Sequence, residues 1–152
     1  MDISEIFIKD CSRNLIQNGG MEIGNPPTGW MVTGSPTTYE RSNAWAKSGI
    51  YSAHVADSIP SYGGFYQNII LRVGRTYKIS GWVNVISGTM KVQVYDDVLG
   101  AIVYQDFVPG ISYLNLSFIC PSGITVDSLY FTNLGNSVAA EFYVDDVFVQ
   151  EV

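Results

Sequence analysis

Apolar and polar residues alternate with a period of two along most of the chain. From Thr76 to Val85, the set Tyr77, Ile79, Gly81, Val83 and Val85 alternates with Lys78, Ser80, Trp82 and Asn84. Met90, Val92 and Val94 alternate with Lys91, Gln93 and Tyr95. Leu114, Leu116, Phe118 and Cys120 alternate with Tyr113, Asn115, Ser117 and Ile119, and Leu129 and Phe131 with Ser128, Tyr130 and Thr132. A pleated strand sends successive side chains to opposite faces, so this period predicts strands with one face on a core. Turn signals separate the runs at Val73-Gly74, Ser87-Gly88, Leu99-Gly100, Pro109-Gly110, Pro121-Ser122-Gly123 and Leu134-Gly135-Asn136. Short strands with turns about every ten residues predict an all-β fold, a β-sandwich of two antiparallel sheets. No segment carries a helix-length 3.6 period with caps.

The ends of this pattern differ from its middle. Residues 1–13 read as a separate leading arm, in which Ile3, Ile6, Phe7 and Ile8 are apolar enough to dock as a strand or an interface segment. Residues 14–152 read as one domain. Between Asn25 and Ser42 the chain is rich in Pro, Gly and Thr, which predicts a long surface loop around Trp30.

Composition narrows the partners. With 47% hydrophobic and 14% charged residues the chain is a packed globule. Eight basic against fourteen acidic residues give a net charge of −6, with no Lys/Arg cluster, which argues against nucleic acid. No apolar stretch approaches the ~20 residues that span a bilayer, so membrane insertion is not expected. Met1-Asp2-Ile3-Ser4-Glu5 lacks the basic and apolar regions of a secretory signal. Either a signal has been removed or the chain leaves its cell by another route, such as a virus particle. The expected location is extracellular or the surface of a virion. Cys11 and Cys120 lack metal-ligand spacing; Cys120 reads as a small core residue, and whether the two pair is left open.

A set of short motifs in order along the chain carries a family resemblance. Asn14-Leu15-Ile16-Gln17-Asn18-Gly19-Gly20-Met21-Glu22 is followed by Gly29-Trp30 and by Lys47-Ser48-Gly49-Ile50-Tyr51-Ser52. Then come Tyr66-Gln67-Asn68-Ile69, Gly74-Arg75-Thr76-Tyr77, Ser80-Gly81-Trp82-Val83 and the closing Phe142-Tyr143-Val144-Asp145-Asp146-Val147. Over residues 14–152 this order resembles carbohydrate-binding modules of families 4, 9, 16 and 22, which share a galactose-binding-like jelly roll. Met21 stands where the family usually has Phe, and the arm 1–13 has no counterpart. The resemblance implies a jelly-roll sandwich with a structural calcium ion and a glycan groove on the concave sheet. The matching calcium ligands are Glu22 and Asp145, with a main-chain oxygen near Ser48 or Gly49.

The residues give these implications some chemistry of their own. Adjacent acids in a strand point to opposite faces, so Asp145 and Asp146 diverge if strand-like and one of them sits inside or at a rim. A buried carboxylate needs a cation or several donors. If the terminal strands pair, Glu22 meets that acid, and calcium takes such hard oxygens. The alternation places Trp82, Asn84, Lys91, Gln93 and Tyr95 opposite the aliphatic core, joined by Tyr130 and Thr132 if their strand shares the sheet. Aromatic faces beside amides suit a polysaccharide or cell-surface glycan. The loop aromatics Trp45, Tyr39, Tyr62, Phe65 and Tyr66 border this surface.

Catalysis is not expected. His54 is the only histidine and points outward with no orienting acid in view. There is no nucleophile elbow, phosphate loop or zinc pattern, and no carboxyl pair set across a sugar bond. The sequence thus predicts a non-catalytic, calcium-stabilised glycan binder. The alternative is a virion or tail-associated structural or adhesion protein, using the same fold for assembly or host attachment. A homo-oligomer or larger assembly would then form through the arm.

Overall fold

The computed structural model describes residues 13–58, 62–134 and 138–152. The leading arm and Cys11 lie outside the described residues. Among the described residues ten strands follow in order: β1 (Met31–Thr33), β2 (Thr38–Ser42), β3 (Ser52–Asp57), β4 (Gly64–Ile69), β5 (Thr76–Ser87), β6 (Met90–Asp96), β7 (Gly100–Phe107), β8 (Gly110–Ile119), β9 (Asp127–Asn133) and β10 (Ala140–Glu151). They form two five-stranded sheets, one in the order β1-β4-β9-β6-β7 and the other β2-β3-β10-β5-β8. Every pairing is antiparallel, and the sheets close face to face as a jelly-roll sandwich.

The alternating residues fill the space between the sheets as their period requires. Val83, Val92, Val94, Leu114, Leu129, Phe131, Val144 and Val149 are fully buried, and Cys120 is a buried free thiol. Trp30 meets Phe65 at 5.2 Å and Phe131 at 5.9 Å in edge-to-face geometry, while Phe65 stacks on Phe131 at 5.3 Å. Such pairs each add about 0.5–1.5 kcal/mol beyond the area they bury. The Trp30 indole N–H donates to the Asn18 carbonyl at 3.0 Å, tying the first motif to this cluster.

Three stretches differ from the sequence reading. Tyr39, Phe65 and Tyr66, read there as loop aromatics, stand on β2 and β4, and Phe65 is fully buried in the core. The Pro/Gly-rich stretch 25–42 is not one long loop, since it contributes β1 and β2 to the two sheets. Both are edge strands, and short edge strands need little of the apolar alternation that marks a central one. β7 was not predicted, because it too is an edge strand and its residues are mostly exposed or half-buried on both faces.

β10 changes partner along its length. It pairs with β3 from Ala140 to Val144, and beyond that point the segment 14–19 takes over the same edge. Leu15 N–H donates to the Val149 carbonyl at 2.8 Å and Val147 N–H to the Gly19 carbonyl at 3.0 Å. The Asn14 side chain donates to the Val147 carbonyl at 3.1 Å and accepts from Val149 N–H at 3.0 Å. A Cβ on Gly19 would overlap the Val147 carbonyl, so this close approach requires glycine. The chain's first motif and last strand are therefore paired directly.

The end of the β6–β9 ladder holds two acids opposite each other, Asp96 and Asp127. Burial raises the Asp96 carboxyl, but N–H groups of Leu99, Thr125 and Val98 outweigh it, and the net direction is down. Asp127 is pushed up to about 6, first by burial and then by Asp96, and its Oδ1 has no hydrogen-bond partner among the described residues. Because the folded value lies above the ordinary 3.8, this group favours the fold below that pH and loses its contribution as pH rises through about 6. Asp127→Asn should therefore melt higher than the parent at pH 7.5, by a margin of ~2 kcal/mol, with the gap closing at pH 4. Thermal melts at the two pH values check this; equal melting at pH 7.5 would refute the buried charge.

Candidate functional site

The outward residues of the β1-β4-β9-β6-β7 sheet fall into cross-strand rows. Met31, Tyr66, Tyr130, Gln93 and Tyr104 stand in register across all five strands. A second row holds Asn68, Ser128 and Tyr95, and a third Thr33, Gly64, Thr132 and Lys91. The central strand β9 is recessed: Ser128 and Thr132 point outward, yet each is only 5% exposed. Small hydroxyl side chains on the central strand and large rings beside them make a trough. It contains a cavity of about 180 Å³ lined by Thr33, Tyr62, Gln93, Tyr95, Tyr130 and Thr132.

The rings in this trough hold one another. Tyr130 stacks on Tyr66 at 4.9 Å with a 23° tilt and meets Tyr95 edge-on at 6.3 Å and 89°. The Tyr130 hydroxyl is pushed up, mainly by burial and then by Tyr66, so it stays a neutral donor and acceptor. Tyr62 stands at the rim, 62% exposed, on a backbone with φ of 54°. Ser128 and Asn68 share a 2.6 Å hydrogen bond, and the Lys91 ammonium lies 4.8 Å from the Tyr104 ring centre. Chemically the trough offers apolar ring faces flanked by an amide, hydroxyls and one cation.

The single groove anticipated from the sequence divides in two. Gln93, Tyr95, Tyr130 and Tyr62 line this trough, whereas Trp82 and Asn84 lie on β5, in the opposite sheet. The turn after Ser87 carries the chain from one sheet to the other, so the polar side of β5 and that of β6 face away from each other. Periodicity fixes the face relative to a strand's own sheet and does not say which sheet that is. Trp45 falls on the β5 side, 6.2 Å from Tyr143, which is opposite Asn84.

His54 also sits on that side, and here the sequence reading needs correcting. The ring points outward but is covered. It stacks on Tyr143 at 4.5 Å, with Nδ1 3.1 Å from Glu40 and Nε2 2.9 Å from Glu141. Cross-strand neighbours on β2 and β10 supply the two acids, which sequence adjacency does not reveal.

The acids of the first and last motifs meet on one turn. Asp145 is fully buried; its Oδ2 accepts from the N–H groups of Lys47 at 2.8 Å and Ser48 at 3.2 Å. The Asp146 N–H donates to Asp145 Oδ1 at 2.8 Å. Glu22 Oε1 accepts from Ile50 N–H at 2.9 Å and Tyr51 N–H at 3.1 Å. Gly49 has φ of 64°, and a Cβ there would overlap the Glu22 carboxylate. Asp145 and Asp146 do not diverge as ordinary strand neighbours would. A β-bulge between Asp145 and Phe148, with Asp146 at φ of 52°, brings both to the turn, and the Ser48 hydroxyl donates to Asp146 at 2.7 and 2.8 Å.

These residues have the chemistry that calcium takes. Both carboxylates are hard oxygen donors and end on the same five-residue stretch. Burial, first, and the Asp146 charge push Asp145 up to about 6 although three N–H groups oppose them, so its charge is incompletely compensated. Among the described residues no three His, Cys, Asp or Glu side chains gather at one point, so a cation here would complete its shell with main-chain oxygens.

Comparison with known proteins places this architecture. No protein-family model matches the chain, and no curated protein matches it. Among solved structures, a family 4 carbohydrate-binding module superposes with a TM-score of 0.71 at 20% identity, covering 90% of this chain and 99% of that one. A family 61 module in complex with β-1,4-galactotriose gives 0.70 at 17% identity, covering 93% and 100%. The enzymatically active domain of tailspike protein 4 from bacteriophage CBA120 gives 0.69 at 18% identity, covering 91% of this chain but 21% of that one. The chain thus has the jelly-roll fold of the carbohydrate-binding modules, as its motifs suggested.

Proposed function

We propose that the chain is a non-catalytic glycan-binding module whose ligand lies across the trough of the β1-β4-β9-β6-β7 sheet. The observation that carries this reading is Tyr130, recessed at the centre with Tyr66, Tyr95 and Gln93 around it. Sugar C–H faces would pack on the rings, and Gln93, Thr132 and Ser128 would meet hydroxyls. The glycan-bound family 61 neighbour supports this ligand class, and an extracellular or virion-surface location goes with it. A second reading, attachment or assembly within a virus tail, is favoured by the tailspike neighbour. A stable oligomer in light scattering, together with silence across a glycan array, would select it.

A calcium ion is part of this proposal, held by Glu22 and Asp145 with main-chain oxygens of Ser48 and Gly49. Its role is to compensate Asp145 and fix the 47–51 turn against the terminal motifs.

Tyr95→Ala and Tyr130→Ala should each weaken binding on a multivalent glycan array about tenfold or more, a loss of ~1.4 kcal/mol, while the melt stays cooperative. Undiminished binding in both variants would place the ligand elsewhere. For the turn, Gly49→Ala should cost about 1–3 kcal/mol, because it adds a Cβ at positive φ against Glu22. Gly20→Ala, whose Cβ meets nothing closer than Glu22 Cγ at 3.9 Å, should be nearly neutral. Chemical denaturation separates the two. The parent's melting temperature should fall by several degrees with a chelator and recover with calcium, a response absent in Asp145→Asn. A parent melt indifferent to both additions would remove calcium from the proposal.

A further inference from the structure

The opposite sheet carries a second aromatic recess that the trough does not use. Trp82 and Tyr113 are cross-strand partners on β5 and β8, with ring centroids 5.2 Å apart and planes tilted by 51°. Phe148 stands on the neighbouring β10, opposite Ser80. Tyr113 is 47% and Phe148 43% exposed, so both rings present apolar surface to solvent. Together with Ser48, Ser80 and Asp146 they line a cavity of about 440 Å³, larger than the one in the trough.

The polar groups of this recess are placed by unusual backbone. In a regular strand Asp146 would point to the face opposite Asp145. The bulge and the left-handed conformation instead turn it toward the mouth of the recess, where the Ser48 hydroxyl holds its carboxylate. A non-glycine residue in that conformation is strained and persists only where its surroundings fix it. The Lys47 ammonium sits 3.9 Å from the centre of the Trp82 ring. One wall thus offers rings, and the rim offers a carboxylate acceptor, an ammonium donor and two hydroxyls.

We propose that this recess is a second sugar-binding site, taking one or two units of a neutral polysaccharide. An uncharged sugar uses every part of it: C–H faces on Tyr113 and Phe148, hydroxyls donating to Asp146, and ring or hydroxyl oxygens accepting from Lys47. A uronic or sulfated unit would meet the Asp146 carboxylate. A flat protein partner would leave the mixed polar rim unpaired. The two sites lie on outer faces of opposite sheets, so the module bridges two glycan chains. The inference rests on the trough reading only for the class of ligand.

The test is a titration of the ¹⁵N-labelled full chain with cellohexaose, xylohexaose and β-1,4-galactotriose in turn, followed by NMR. The Trp82 indole N–H reports this recess, and the Gln93 side-chain amide reports the trough. With at least one of the three sugars the Trp82 signal should move. It should keep its saturation curve in the Tyr95→Ala/Tyr130→Ala protein and lose at least tenfold in affinity in Tyr113→Ala/Phe148→Ser. Backbone spectra confirm the fold of each variant. Movement at Gln93 with Trp82 unmoved by all three sugars would overturn the second site and leave the trough. Movement at Trp82 alone would do the reverse, and no response at either would overturn both. Trp82 movement that survives Tyr113→Ala/Phe148→Ser would also overturn it.

Discussion

Midway along β10 the strand loses β3 as its partner, and backbone groups left unpaired in a sandwich interior would be costly. The fold depends on how that gap is filled. Asn14 to Gly19 supply the missing ladder, with the Asn14 side chain bonding β10 at both Val147 and Val149. The bulge at Asp145–Asp146 falls at the same junction and aims two carboxylates at the 47–51 turn. One local problem of hydrogen bonding therefore brings together the chain's first motif, its last strand and a loop distant from both.

This junction also orders the surfaces. Glu22 and Asp145 fix the turn that carries Lys47 and Ser48, and those two residues form part of the rim of the recess around Trp82. The trough on the other sheet owes little to the junction. Its shape follows from β9 lying at the centre of five strands, with the small Ser128 and Thr132 facing out on either side of Tyr130. The two faces are thus built by independent means on one core.

Much of this was readable in the residues. The period of two identified β5, β6, β8 and β9, because each has one face on the core and the other outside. The edge strands β1, β2 and β7 were missed, since half-exposed residues on both faces carry no such period, and the inner strand β4 was missed because Phe65 and Tyr66 read as loop aromatics. The ordered motifs identified the jelly roll, and they brought Glu22 and Asp145 to one turn. The groove was only half legible. Gln93, Tyr95 and Tyr130 share a trough, but Trp82 and Asn84 belong to the other sheet, and alternation alone has no way to register a crossing between sheets. His54 looked solitary because Glu40 and Glu141 reach it only through strand pairing. The shared direction of Asp145 and Asp146 was hidden for a similar reason: a bulge leaves no mark in the spacing of apolar residues.

The mutual contacts of Tyr66, Tyr130 and Tyr95 bear on how the proposed glycan trough would discriminate. Rings that already immobilise one another have little rotamer freedom left to lose when a surface is laid on them. They also have little freedom to rearrange. If the trough holds a glycan as proposed, one whose curvature follows the row would cost the protein little side-chain entropy, and one that bends differently would be met poorly. Selectivity in such a trough would be a matter of shape and stiffness, so a change of one small residue on the β9 floor would redraw what fits while the core beneath stayed as it is.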